Sequence, residues 1–184
     1  MGDKGDWQAR LDAFWKRLEE AVARDTGDRA VLKRNAGTRL YDADGSAVSV
    51  FYRIYGGGLV SSDNEDRCFF SVCAACLWKP EEWGKAVPIV EGARRFLDKE
   101  SKVTFGKKMG ALLDLPWDDD GYLMGKILRL LKYCRSKGIV VDGEALLKDL
   151  IHWNREDRRV QRTWAREFYR MDLVSKDGGK ENVD

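Results

Sequence analysis

The sequence predicts an all-α protein, and three observations carry that prediction. Apolar residues recur every three to four positions through nearly every hydrophobic stretch, the spacing that places them on one face of a helix. Proline occurs only 3 times in 184 residues, so few segments contain a residue that interrupts helices. Charged residues make up 35% of the chain and hydrophobic residues 43%, which suits amphipathic helices around a core. We expect roughly eight to nine helices arranged as two small lobes.

The first predicted helix is amphipathic. Its apolar side carries Trp7, Leu11, Phe14, Trp15, Leu18 and Val22. Gly27 can end it, and Asp28 can cap a short second helix that runs to Gly37. Residues 38–47 contain aspartate and glycine turn formers and are predicted to form a loop. Residues 48–55 are ambiguous, because their apolar residues have helical spacing whereas their Val-Ser-Val-Phe-Tyr composition also suits a strand.

A largely apolar helix is predicted at about 66–78, and Pro80 ends it. Further helices are predicted around 90–99 and from near Ser101. The Leu-Pro-Trp-Asp-Asp-Asp-Gly run at 115–121 is the clearest break between elements.

A strong helix is predicted at 122–137, with Gly138 at its C-terminal end. Asp142 is expected to cap the helix that leads to Trp153. We place the lobe boundary near Glu100, giving lobes at 1–100 and 101–174. The polar tail at 175–184 is predicted to be disordered.

The stretch 154–170, NREDRRVQRTWAREFYR, is predicted to form an arginine-striped helix. At about 100° per residue, one narrow sector holds Arg155, Arg159, Arg162, Arg166 and Arg170. The opposite side holds Val160, Trp164, Phe168 and Met171. Asn154 and Asp157 have the spacing of an N-cap and its partner. Like charges repel at i,i+4, so the stripe suits contact with a polyanion, although a solvated face explains it equally well.

Net charge does not by itself indicate a nucleic-acid-binding protein, since it is only +2. The charges are uneven: residues 1–28 hold seven acids and five bases, whereas residues 122–170 hold twelve bases and six acids. Cations gather at Lys33 with Arg34, at Arg53, at Lys107 with Lys108, and at Lys126, Arg129 and Lys132.

Each cluster also has a structural interpretation. Lys33 and Arg34 are predicted at a helix C-terminus, where they can stabilise the helix dipole or reach a phosphate. Arg53 lies between Tyr52, predicted to pack in the core, and Tyr55, a setting that suits stacking or backbone contact. Lys107 and Lys108 are predicted to open a helix whose free amides attract phosphate. The remaining cluster is explained nearly as well by a solvated helix face.

No catalytic residue, metal site or cofactor is predicted. Cys73 and Cys76 form a lone CxxC without a second ligand pair, and are expected to be small core residues. His152 is predicted to be buried or half-buried. The contiguous aspartates at 118–120 are interpreted as turn and cap residues, and P-loop and GxGxxG motifs are absent. Four cysteines without a signal peptide or an apolar run of about 18 residues predict a reduced, cytoplasmic protein.

One block carries a family resemblance. VQRTWAREFY at 160–169 follows a Leu-Leu-x-Asp-Leu-x-x-Trp segment at 146–153. Together they resemble the C-terminal signature of the CasB family, the small subunit of the type I-E CRISPR Cascade complex. Shorter matches lie at 29–34, 51–54, 105–109 and 112–114. The resemblance covers most of residues 7–170, and it favours a helix at 48–55.

The resemblance implies an all-helical, non-catalytic subunit that works as two copies along the belly of Cascade. Its implied partners are crRNA, the target and displaced DNA strands, other Cascade subunits and a second copy of itself, with no membrane. It would hold nucleic-acid backbone and support the R-loop while guide–target pairing reads the sequence. The family's contacts map onto Lys33, Arg34, Arg53 and Lys107, with Lys108 adjacent.

The sequence departs from the family pattern at two places. Lys107-Lys108-Met109 replaces the usual Lys/Arg-Arg-Phe, and Met124-Gly125-Lys126 replaces Leu-Arg-Gln, where Lys126 can substitute for the missing arginine. The predicted nucleic-acid-binding residues are therefore Lys33, Arg34, Arg53, Lys107, Lys108, Lys126, Arg129, Arg159, Arg162 and Arg166. The arginine stripe can instead pair with acidic surfaces of neighbouring subunits.

Two alternatives from other classes remain. The first is a free-standing helical DNA-binding regulator that uses 155–170 as a recognition helix. Such helices normally mix Asn, Gln or Ser among the bases to read base edges, whereas arginine dominates this face. The second is a metal-dependent nuclease that uses the aspartates at 118–120.

Overall fold

The computed structural model describes residues 4–95, 97, 99–118 and 120–170, and over these residues the chain forms nine α-helices. They are α1 (Lys4–Arg24), α2 (Thr26–Arg34), α3 (Gly45–Tyr55), α4 (Glu65–Ala75), α5 (Ile89–Arg94), α6 (Lys99–Leu113), α7 (Tyr122–Ser136), α8 (Gly143–Ile151) and α9 (Arg159–Tyr169). Short 3-10 helices lie at Leu40–Asp42, Ser62–Asn64 and Pro80–Lys85. The predicted all-α class is confirmed. Within the described ranges, β pairing is limited to an isolated bridge between Val87 and Val141.

Aspartate side chains start three of the helices. Asp44 accepts the amide of Ala47 at 2.9 Å to start α3, and Asp142 caps α8 as predicted. The predicted cap at Asp28 is wrong. Asp25 takes that position, because its carboxylate accepts the amides of Gly27 and Asp28 and places Asp28 inside the first turn.

The ambiguous segment 48–55 is helical. It lies within α3, which begins after the Asp44 cap and ends where Gly56 adopts φ 68°, a left-handed conformation that glycine adopts at little cost. The helical spacing puts the apolar residues on one face, and Phe51 on that face is fully buried. Tyr52 is not in the core as predicted: it is 44% exposed, and its hydroxyl donates to Glu65.

Two clusters of buried side chains form the core. The N-terminal core joins α1, α2, α3, one side of α4 and Leu147 of α8. The C-terminal core joins the other side of α4 to α5, α6, α7, α8 and α9. Phe69 and Cys73 of α4 face the first cluster, whereas Phe70 and Ala74 face the second. Since α4 serves both clusters, the lobe boundary near Glu100 stays a prediction.

Helix α8 packs closely along α4. A Cβ at Gly143 would lie 2.9 Å both from Cβ of Ala75 and from the Trp15 ring, so glycine permits this approach. The predicted break at 115–121 is confirmed, because α6 ends at Leu113 and α7 begins at Tyr122.

None of the described helices combines the length and the apolar character needed to cross a bilayer. The tail predicted to be disordered, 175–184, lies outside the described residues, as do Met171 and Asp119.

Candidate nucleic-acid interface

The C-terminal signature is first of all a packing motif. Trp153 is fully buried and meets Trp164 edge to face, with ring centroids 4.9 Å apart. The indole N–H of Trp164 donates to the carboxylate of Asp149 at 2.7 Å, and that of Trp153 donates to the carbonyl of Leu115 at 2.8 Å. The buried amide of Gln161 donates to the carbonyl of Trp153. The block that carries the family resemblance therefore fixes α9 on α8.

The predicted start of the arginine helix is wrong. Asn154 does not cap it, because its side chain is engaged with the backbone of Trp117, accepting from the amide at 2.8 Å and donating to the carbonyl at 2.7 Å. The chain then turns through Arg158 at φ 48°, and α9 begins at Arg159. Arg158 donates to the carbonyl of Leu113, at the end of α6.

The five-arginine stripe is therefore reduced to three. Arg159, Arg162 and Arg166 lie within α9 on its exposed side, and none makes an ion pair with another described residue. Arg155 lies before the helix and pairs with Asp157 at 3.4 Å. Arg170 lies after it, with Glu167 at 3.9 Å.

Lys107 and Lys108 do not open a helix. They lie well inside α6, where the backbone amides are bonded within the helix, so the predicted contribution of free amides is wrong. Both side chains are exposed. Gly106 beside them faces α9, because the hydroxyl of Tyr169 donates to the Gly106 carbonyl at 3.1 Å. A Cβ at Gly106 would lie 3.3 Å from the hydroxyl oxygen of Tyr169.

Three of the predicted cations meet at one cavity. Lys108 of α6 and Lys126 and Arg129 of α7 line a cavity of about 320 Å³ between the two helices. None of the three makes an ion pair with a described residue, and no described carboxylate lines the cavity. This grouping joins residues from two separate sequence clusters.

The end of α2 lies on the other flank of α7. A Cβ at Gly37 would lie 2.4 Å from the Leu128 side chain, so the turn after Lys33 and Arg34 packs against α7. At about 100° per residue, Lys132 lies on the α7 surface between Leu128 and Arg129, which lines the cavity. We call the group formed by Lys33, Arg34, Lys108, Lys126, Arg129 and Lys132 the cationic band. Lys107 is not part of it, because the helical period puts Lys107 on the side of α6 away from the residues that line the cavity.

The structure places Arg53 outside the cavity, in a groove between α1 and α3. Its guanidinium pairs with the carboxylate of Asp28 and is 60% exposed. Arg17 and Arg24 line the same groove, and Arg17 donates to the carbonyls of Ile54 and Tyr55 at the end of α3. Sequence reasoning missed these α1 arginines. Their spacing of seven residues was the available signal, since it returns to the same helix face.

The cysteines, His152 and Asp118 were the other residues considered for chemistry in the sequence. All four cysteines are buried, as predicted for Cys73 and Cys76. Burial raises the pKa of the Cys134 thiol to about 12, which keeps it protonated and unreactive at neutral pH. His152 is exposed where α8 ends, so its predicted burial is wrong. The backbone carbonyl of Asp118 accepts from Arg39 at 2.6 Å.

Asp149 gives the signature a testable pH dependence. Burial raises the pKa of its carboxyl, and the hydrogen bond from Trp164 only partly offsets this. The folded state therefore holds the proton of Asp149 more tightly than the unfolded state does. The free energy of unfolding consequently falls as pH rises from the ordinary Asp pKa through the raised pKa of the folded state. Asp149→Asn keeps an acceptor for Trp164 without the charge. We expect the variant to gain stability relative to wild type as pH rises from about 4 towards neutral, measured by urea unfolding.

Asp157 provides the opposite-sign control. Its pKa is lowered, chiefly by the hydrogen bond from the amide of Arg159. Asp157→Asn should therefore lose stability relative to wild type as pH rises towards about 4, a lower pH window than that of Asp149, since the variant lacks a charge that the folded state favours. Parallel stability curves for Asp149→Asn and wild type would show that the Asp149 carboxyl is not desolvated.

Comparison with known proteins identifies the family. Residues 28–169 match the model of the family described as CRISPR-associated protein Cse2. A search of curated proteins finds no significant match. Three solved structures are similar, at TM-scores of 0.66, 0.65 and 0.63.

The first is a chain described as a CRISPR RNA-guided surveillance complex, 18% identical, with 89% of this chain and 94% of that chain covered. The others are CasB from Thermus thermophilus, 21% identical over 89% of this chain and 97% of that one, and CasB from M. ruber, 21% identical over 88% and 93%. At these identities the structures establish the shared fold. The family match spans most of the chain, and this protein therefore belongs to the Cse2 family, also called CasB.

Proposed function

We propose that this protein is a non-catalytic subunit of a CRISPR Cascade surveillance complex, where it holds nucleic-acid backbone and stabilises the R-loop. The observation that carries the proposal is the cationic band. Cations from α2, α6 and α7 lie on neighbouring surfaces, and the three at the α6–α7 cavity have no ion-pair partner among described residues. Family membership and the likeness to a chain of a surveillance complex support the same role.

The band favours backbone contact without sequence readout. Lysine and arginine neutralise phosphates, and such contacts carry no base information directly. A recognition helix would instead concentrate its contacts on one element in the major groove. Here the cations spread over three helices, which argues against the free-standing regulator. Partners in this role are crRNA, the target and displaced strands, other Cascade subunits and a second copy of this chain.

The isolated protein should bind single- and double-stranded nucleic acid weakly and with steep salt dependence, because its net charge is only +2 and the cations are local. Tethering inside a complex would raise the effective concentration without new contacts. Lys33→Ala with Arg34→Ala should weaken binding by a similar factor for all sequences. Loss of two phosphate contacts should reduce the logarithmic salt slope by roughly 1.4 to 1.8.

Fluorescence anisotropy at several salt concentrations measures this slope. Lys16→Ala with Lys85→Ala is a matched control, since both lysines are exposed, lie outside the band and pair with no described carboxylate. The control should bind as wild type does. Binding that is insensitive to salt, that depends strongly on base sequence, or that falls equally in the control pair would contradict the role of the band.

A further inference from the structure

The cavity between α6 and α7 is more than a cationic surface, because its walls are aromatic. Phe105 and Tyr133 line it, with ring centroids 5.4 Å apart and planes tilted by 48°. Met109, Leu112 and Leu130 complete an apolar floor. A volume of about 320 Å³ lies at the small end of ligand sites, which span roughly 300–1,000 Å³. The space suits one planar group.

Packing against α9 holds the aromatic wall of the cavity in place. Phe105 stacks on Phe168 of α9, with centroids 5.9 Å apart and planes 20° apart. Phe168 is fully buried, and its neighbour Tyr169 is bonded to Gly106. The Lys137 ammonium lies 5.8 Å from the Tyr133 ring centroid. A preformed aromatic wall reduces the ordering cost of binding a flat ligand.

Two aromatic residues flank two cations along the open side of α7. Tyr122, Lys126, Arg129 and Tyr133 follow i, i+4, i+7 and i+11 spacing, which keeps them on one helix face. Tyr122 is 66% exposed, an unusual position for a large aromatic ring. Proteins that hold single strands combine a cationic track with aromatic platforms on which bases stack. A purely electrostatic contact with phosphate needs no such rings.

We infer that this cavity holds one unstacked base of a single nucleic-acid strand, with Lys108, Lys126 and Arg129 on the adjoining phosphates. The inference rests on the proposed function, and it adds a base-holding site to a surface proposed for backbone contact. The rings recognise the face of a base, so the site accepts every base and confers little sequence preference. The ligand is single-stranded, because a paired base inside a duplex cannot enter a cavity between helices.

The test compares two strands of equal length and charge, a short oligothymidylate and the same backbone with abasic residues throughout. Wild-type protein should bind the abasic strand about fivefold or more weakly, the effect of losing one stacked base. Leu130→Phe fills the cavity from its floor and leaves no room for a base, so this variant should bind the two strands with equal affinity. Tyr133→Leu, which retains apolar bulk without a ring, provides a second variant if Leu130→Phe does not fold.

The outcomes separate the inference from the proposed function. If both strands bind equally and with steep salt dependence, the base site is wrong and the backbone role stands; an acidic peptide would then be the better candidate for the cavity. If neither strand binds in a salt-dependent way, the proposed function fails and the base site fails with it. A preference for bases that persists in Leu130→Phe and in Tyr133→Leu would place the stacking elsewhere and overturn the assignment.

Discussion

Replacement of Trp164 by alanine is expected to lower the free energy of unfolding by about 3–5 kcal/mol, the range for large aromatic truncations in cores. Trp164 is 3% exposed, contacts the Trp153 ring edge to face, and donates its indole N–H to the half-buried Asp149. The truncation removes all three contributions. It also leaves a desolvated carboxylate without its donor, which is costly in itself.

Trp164→Phe separates packing from hydrogen bonding. Phenylalanine fills much of the site but cannot donate, so Asp149 loses its partner at a cost of about 1–3 kcal/mol. Adding Asp149→Asn to Trp164→Phe should recover part of that cost, since the amide carries no charge to desolvate. Urea unfolding of the four proteins gives the values. A loss below about 1 kcal/mol in Trp164→Ala would show that α9 is not packed as described.

Local signals predicted most of the helices. In α3, the i, i+3, i+4, i+7 spacing competed with a strand-like composition, and the spacing prevailed because Asp44 caps the helix and Gly56 ends it. Short-range patterns identify these features, so a helix in this part of the chain can be predicted from the local sequence. The position of the cap at Asp25 rather than Asp28 shows the usual uncertainty of helix ends.

The start of α9 could not be predicted locally. Asn154 has the residue type and spacing of a cap, but the Trp117 backbone, far away in sequence, engages its side chain. Tertiary hydrogen bonding overrode the local preference. The same holds for Lys107 and Lys108, which lie inside a helix that continues through Gly106 against α9.

The sequence pointed to the individual cations of the candidate site, but it did not predict which of them lie together. Lys108 was predicted in one cluster and Lys126 with Arg129 in another, and only the packing of α6 on α7 brings the two clusters to one cavity. Arg53 was predicted to make stacking or backbone contact with nucleic acid, and the structure pairs it with Asp28. That partner is remote in sequence, and ion pairs between remote residues leave no periodic signal. Pairing on an exposed surface is weak, so Arg53 remains a predicted contact.

The largest functional effect is expected from charge reversal in the cationic band within an assembled complex. Lys108→Glu with Lys126→Glu would remove two of the proposed phosphate contacts and place two carboxylates where the strand is proposed to lie. We expect the R-loop to lose about tenfold or more in lifetime. Guide RNA retention should change little, since the proposed contribution of this subunit is to the opened DNA.

The most direct measurement is the dissociation rate of the R-loop in a reconstituted Cascade, compared among complexes with wild-type subunit, with Lys108→Glu and Lys126→Glu, and without the subunit. Lys16→Glu with Lys85→Glu matches the change in charge outside the band. We expect fast R-loop loss without the subunit, nearly as fast loss with the band variant, and wild-type lifetimes with the control. An equally long-lived R-loop without this protein, or cleavage of DNA by the purified protein with magnesium, would contradict it.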